Sequence, residues 1–211
     1  MKRPIEIIDD FYTNEELNTL FKEISIGTNQ LEFSPTCQPH KGRDFYSSRF
    51  QAYPCHETYK VNENNLIYTN LFNKLKNNLL PNIQKLRTFF RKIYKDELLK
   101  SACKDGKGLA HDDGGEFSYA GVIYLDRKYS FNSGTKLFTR NNIAPQFEQD
   151  IQVGSVYNRC ILYPADIFHQ AGFDMNLESR FIQTFFVFKN GYTEDSNSND
   201  THNKYDINNC I

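Results

Sequence analysis

Four runs rich in β-branched and aromatic residues crowd the second half of this chain: Tyr119 to Leu125, Thr135 to Arg140, Val153 to Tyr163 and Phe181 to Phe188. Such side chains fit the pleated, half-buried surface of a sheet. The Gly, Pro and Asn residues between them, Asn132-Ser-Gly134 among them, read as turns. Short strands joined by turns bury their apolar faces by closing on one another, which predicts a β-sandwich or jelly roll from about residue 96 onward. The first 95 residues have a different character. Residues 3–8 read as a short strand. Thr13 followed by Glu16 is a capping box, and Leu17, Leu20, Phe21 and Ile24 have helical spacing. Residues 28–43 read as loop, and Phe45 to Tyr53 as a strand. Leu66, Leu71, Leu75, Leu79, Ile83, Leu86, Phe89, Phe90 and Ile93 predict an amphipathic helical stretch over about 64–95, split or kinked at Pro81. The expected architecture is therefore mainly β with flanking helices (α+β), the helices packed outside the sheets.

At 211 residues the chain fits one domain. We take that domain as 1–190, with helical support over about 1–95 and a β core over about 96–188. The polar, low-complexity stretch 191–211 is expected to be a disordered tail. The interior should be aromatic, since 18 Phe and 13 Tyr stand beside no Trp. A net charge of −1 without a basic run lacks the footprint of a nucleic-acid binder. No apolar stretch is long enough to span a bilayer. Five scattered cysteines (Cys37, Cys55, Cys103, Cys160, Cys210), with no C-x-x-C, suggest neither a disulfide framework nor a zinc site. A cytoplasmic location is the expectation, with no nucleic-acid or membrane partner.

The residues that carry chemistry are His111, Asp113 and His169, followed by Arg180. On an extended strand, residues two apart point to one face. His111 and Asp113 would then present an imidazole and a carboxylate to the same metal ion, with Asp112 turned away. His169 would complete a facial set of two histidines and one carboxylate, the ligand pattern of non-haem Fe(II) oxygen chemistry. Taken singly, each residue has an ordinary role: His111 in a loop, His169 partly buried, Arg180 in a surface ion pair with Glu178. His40, His56 and His202 lack carboxylate partners at ligand spacing and are assigned no role.

The order of these pieces resembles the Fe(II)/2-oxoglutarate-dependent dioxygenases, most of all the prolyl-4-hydroxylase-like branch and its uncharacterised bacterial and phage members. The resemblance is carried by His111-Asp-Asp113, Ala120-Gly-Val-Ile-Tyr-Leu-Asp126, Ser133-Gly-Thr135, Tyr157 to Pro164, Phe168-His169 and Arg180-Phe-Ile-Gln-Thr-Phe-Phe186. It covers roughly residues 96–188, and the opening Ile7-Ile-Asp-Asp-Phe-Tyr12 with its helix is similar too. It implies a double-stranded β-helix (jelly roll) with N-terminal helices packed outside. It also implies Fe(II) held by His111, Asp113 and His169, with 2-oxoglutarate as cosubstrate and O₂ as oxidant. Hydroxylation of a prime substrate would release succinate and CO₂. Relatives that halogenate carry a small residue in place of the carboxylate, so Asp113 favours hydroxylation. Arg180 would anchor the far carboxylate of 2-oxoglutarate through paired hydrogen bonds, joined by Tyr124 and by Thr184, which shares its strand face.

Arg-x-x-x-Thr is also similar to the nucleic-acid demethylase branch, but Phe186 stands where that branch has a second arginine. A cupin would offer more histidines. The alternative of a different class is a non-catalytic jelly-roll metal-binding or sensor module. The prime substrate, a protein side chain such as peptidyl proline or a small molecule, is left open. Its contacts are expected from loops at the barrel mouth: residues 33–60 with Arg43, Asp44, Tyr46, Arg49 and Tyr53, the turn Arg127 to Asn132, and Arg140 and Arg159.

Overall fold

The computed structural model describes residues 5–26, 33–35, 55–58, 60–99, 110–140 and 147–192. The strands are β1 (Glu6–Ile8), β2 (Phe33–Pro35), β3 (His56–Thr58), β4 (Leu86–Tyr94), β5 (Phe117–Tyr124), β6 (Ser130–Arg140), β7 (Phe147–Ser155), β8 (Cys160–Pro164), β9 (Phe168–Ala171) and β10 (Ser179–Phe188). The helices are α1 (Asn14–Ile26), α2 (Leu66–Asn78) and the single turn α3 (Lys95–Leu99). A seven-stranded sheet runs β1-β8-β5-β10-β4-β3-β2 and faces a three-stranded sheet β7-β6-β9. Every pairing is antiparallel. This is the jelly roll with outer helices that the sequence predicts.

Alternation along the central strands divides the core in two. One face of the large sheet, with Phe90, Ile123, Leu125, Cys160, Leu162, Phe185 and Val187, packs against Leu17 and Leu20 of α1 and Leu71 and Leu75 of α2. Each such buried side chain contributes about 1.5–3 kcal/mol relative to exposure. The other face, with Ala120, Val122, Tyr124, Ile161, Tyr163 and Ile182, meets Leu137 and Val153 of the small sheet. The capping box of α1 forms as expected: the Thr13 N–H donates to Glu16 Oε2 at 2.7 Å, and the Glu16 N–H to Thr13 Oγ1 at 3.2 Å. Among the described residues no helix is long and apolar enough to cross a membrane.

Four local expectations are corrected. Within the stretch 64–94 helix is confined to Leu66–Asn78, and Leu86–Tyr94 is the strand β4, paired with β10 along nine registers from Ser179↔Tyr94 to Val187↔Leu86. Leu86, Phe90 and Ile93 stand at i, i+4 and i+7, as on a helix. Because β4 is buried on both faces, its apolar residues show no simple alternation. Within the expected loop 28–43, residues 33–35 form β2. Asn132-Ser-Gly134 is not a turn but an irregularity inside β6, between the pairs Ser130↔Ser155 and Thr135↔Val153. A Cβ on Gly134 would lie 1.7 Å from the Val153 carbonyl oxygen, so glycine permits the close approach. The run Val153 to Tyr163 is two strands in different sheets, separated at Asn158, whose φ of 63° is left-handed. Asn158 earns that position: its side chain accepts from the Tyr12 N–H at 2.9 Å and donates to the Tyr12 carbonyl at 2.7 Å. The expected strand Phe45 to Tyr53 and the stretch 193–211 of the expected tail lie outside the described residues.

Candidate metal centre

His111 does not sit in a regular strand. It forms a single antiparallel bridge with His169 of β9, the two N–H groups donating to each other's carbonyls at 3.0 and 2.8 Å. The chain then turns so that the Asp113 N–H donates to the Ala165 carbonyl at 2.8 Å. Bridge and turn, rather than a continuous strand face, aim the Asp113 side chain at both rings. Its Oδ1 lies 3.6 Å from His111 Nε2 and its Oδ2 3.2 Å from His169 Nε2. One donor atom from each of the three residues falls within 4.8 Å of the others. Asp112 is exposed, and its Oδ1 accepts from the Gly114 N–H at 3.1 Å.

The donor set suits a cation. His169 Nδ1 lies 3.1 Å from the Ile167 carbonyl oxygen, which can only accept, so this nitrogen carries the hydrogen. In neutral imidazole the lone pair then sits on Nε2, facing a carboxylate oxygen, an arrangement that calls for a proton or a metal ion between them. Burial pushes the Asp113 carboxyl up, but the hydrogen bond from His169 and the charges of His169, His111 and Arg91 outweigh it and hold Asp113 below the ordinary carboxylate value. The Tyr163 ring packs 4.9 Å from that of His169, and burial raises its phenol well above the ordinary value.

Arg180 is 1% exposed on the interior face, so the surface pair with Glu178 does not form; Glu178 lies beside Lys95 instead. Its Nη1 donates to the Gly172 carbonyl at 3.0 Å, and its charge stands 5.6 Å from the centre of the Tyr124 ring. Among the described residues no carboxylate forms an ion pair with it. Its Nε and the Thr184 Oγ1 are buried and have no hydrogen-bond partner. A buried guanidinium nitrogen and a buried hydroxyl left without partners on one strand face each carry a desolvation cost, which a bound carboxylate would offset. The register places Ile182 opposite Tyr124 and Thr184 opposite Val122, so Arg180, Thr184 and Tyr124 share the interior face. The Tyr124 hydroxyl is 2.7 Å from Thr135 Oγ1.

The expected substrate loops fare unevenly. Arg43, Asp44, Tyr46, Arg49 and Tyr53 lie outside the described residues, as does the side chain of Arg140. Arg159 is not open to a substrate: its Nε and Nη2 bind the two Asp9 oxygens at 2.5 and 2.8 Å, tying the chain start to the β7–β8 turn. Arg127 stacks 5.6 Å from the Tyr157 ring, while Tyr129 and Phe131 are exposed. Sequence reasoning missed Arg91 and Glu57, which are directly opposite on β4 and β3, with Arg91 Nε 2.7 Å from Glu57 Oε2. The overlooked signal was alternation, since Phe89, Arg91 and Ile93 occupy one strand face.

The fold is similar to that of several solved prolyl hydroxylases and a 2OG-Fe(II) oxygenase. A prolyl-4-hydroxylase from Pseudomonas putida aligns at a TM-score of 0.56 with 10% identity, over 88% of this chain and 92% of that one. A prolyl hydroxylase from Trichoplax adhaerens, in complex with a hypoxia inducible factor oxygen degradation domain peptide fragment, aligns at 0.57 with 12% identity, over 87% and 83%. A 2OG-Fe(II) oxygenase family oxidoreductase from Burkholderia pseudomallei aligns at 0.53 with 11% identity, over 87% and 84%. No family model matches the chain, and no curated protein matches it. At these identities the likeness is one of fold.

Proposed function

We propose that this chain is an Fe(II)- and 2-oxoglutarate-dependent dioxygenase that hydroxylates its prime substrate. The observation that carries the reading is the pairing, inside one β-sandwich, of a two-histidine, one-carboxylate cluster with a buried arginine whose Nε lacks any partner. His111, Asp113 and His169 would hold the iron, and Arg180 and Thr184 would receive the far carboxylate of 2-oxoglutarate, with Tyr124 beneath the guanidinium. When bound, the iron and 2-oxoglutarate would supply O₂ activation coupled to release of succinate and CO₂. The chain's own part is to bind, orient and exclude water. The Ile167 carbonyl keeps the hydrogen of His169 on Nδ1, leaving Nε2 for metal. Asp113 would supply the single anionic ligand, lying 3.6 Å from His111 Nε2 and 3.2 Å from His169 Nε2. Val122, Ile161, Ile182 and Leu137 form an apolar wall that strengthens the Arg180–carboxylate attraction by excluding solvent.

Supplying the protein with Fe(II), 2-oxoglutarate and O₂ tests this directly. Succinate should form, at a basal rate even without prime substrate, and His169→Ala should abolish it. Metal binding without succinate from the wild-type chain would favour a non-catalytic metal-binding or sensor module instead.

A further inference from the structure

Beyond the six residues assigned above, the interior face carries a second arginine, and the inference drawn from it rests on the oxygenase reading. Arg91 stands opposite Ile182 of β10 on one side and Glu57 of β3 on the other. Directly opposed residues of antiparallel strands share a face, and Ile182 belongs to the interior cluster with Tyr124 and Tyr163. The guanidinium lies 4.8 Å from the centre of the Phe89 ring. It is thus displaced toward the next row across the sheet, where Phe89 stands opposite Thr184 and Thr184 opposite Val122. The metal centre lies against the same cluster, since the Tyr163 ring packs 4.9 Å from that of His169. Only Nε is engaged, by Glu57; among the described residues Nη1 and Nη2 make no hydrogen bond, and the side chain keeps 36% of its surface exposed. A guanidinium held at Nε alone, part-exposed on the sheet face that carries the metal centre, can take a planar anion through two parallel hydrogen bonds.

We propose that the open edge of Arg91 receives a carboxylate of the prime substrate, so that the substrate class is a carboxylate-bearing small molecule. Arg180 already provides for the far carboxylate of 2-oxoglutarate, and Glu57 fixes Arg91 without occupying its paired donors. Glu57 is also a competing anion, so its removal has a sign that a purely structural ion pair would not give.

The test uses the full chain loaded with Mn(II) and saturated with 2-oxoglutarate, with O₂ excluded so that binding is read without turnover. The probes are a panel of L-amino acids and short dicarboxylic acids, each beside its primary amide, followed by calorimetry and by the shift in Tm. At least one acid should bind about 10- to 100-fold more tightly than its amide, the range expected for losing a charge-assisted pair. Arg91→Leu should erase that preference, and Arg91→Lys, which keeps the charge without the paired donors, should retain only part of it. Glu57→Gln should tighten acid binding severalfold. No preference for any acid, or a preference that survives in Arg91→Leu, overturns the proposal. Weaker 2-oxoglutarate binding in Arg91→Leu also overturns it, by assigning the residue to the cosubstrate. A wild-type chain that fails to bind 2-oxoglutarate with metal defeats the oxygenase reading itself, a result visible before any acid is added.

Discussion

The two faces of strand β10 treat buried polar groups in opposite ways. Toward the helices, both polar atoms of Gln183 have partners: its Oε1 accepts from the Tyr12 hydroxyl at 3.0 Å, and its Nε2 donates to Thr88 Oγ1 at 3.1 Å. Phe181, Phe185 and Val187 surround it on that face with apolar contacts. Toward the barrel interior, Arg180 Nε and Thr184 Oγ1 are equally buried and unpartnered. Native interiors satisfy nearly all buried polar atoms, so the contrast separates a face whose polar groups folding satisfies from one where it does not, as the proposed carboxylate site requires. The same strand, one residue out of step, carries partnered polar groups on one side and unpartnered ones on the other.

Substitutions on the two faces should therefore part company. The largest expected effect is on the interior side: Asp113→Ala should lower bound iron and succinate formation to background while leaving the thermal unfolding transition of the metal-free chain in place. Iron stoichiometry and circular dichroism check both halves, and unchanged iron would remove Asp113 from the site. Next, on the helix face, Phe185→Ala should cost about 3–5 kcal/mol of stability in denaturant titration, yet the folded fraction should bind 2-oxoglutarate normally. A smaller pair of effects probes the polar groups themselves. Gln183→Ala leaves the buried Tyr12 hydroxyl without its acceptor, while Thr88 keeps its bond to the Thr184 carbonyl, and should cost about 1–3 kcal/mol. Thr184→Val removes a hydroxyl that has no partner, so it should leave stability nearly unchanged and weaken 2-oxoglutarate about 2- to 10-fold. If Thr184→Val destabilised as much as Gln183→Ala, the distinction between the faces would fail.

What could be read from the sequence follows the same division. Isolated, strongly β runs such as Tyr119 to Leu125 announced their strands, and Thr13 with Glu16 announced α1, because local chemistry alone decides both. The residues of the candidate centre were also legible as types, since a His-x-Asp followed by a distal His and Arg is a chemical pattern before it is a structural one. Their geometry was not: a bridge to His169 and a bond to the Ala165 carbonyl, not a continuous strand, orient Asp113. Long-range pairing hid the rest. Leu86–Tyr94 carries helical spacing because it is buried on both faces, and its partner β10 lies almost ninety residues away. Misreading that strand concealed Arg91, which becomes an interior residue only once β4 alternates. Asn158 divided an unbroken apolar run because its side chain clamps Tyr12, a contact between the two ends of the fold.

The central proposal, that Arg180 and Thr184 receive the far carboxylate of 2-oxoglutarate, is tested most directly by 2-oxoglutarate binding to wild type and Arg180→Met, with and without metal. The wild-type chain should bind one equivalent in a metal-dependent manner. Arg180→Met should bind about 100-fold more weakly, having lost charge-assisted hydrogen bonds. The same variant should be as stable as wild type or more so without ligand, since it replaces a buried, unpaired cation by an apolar chain of similar length. Unchanged affinity in Arg180→Met, or a marked loss of stability in the ligand-free variant, would contradict the account.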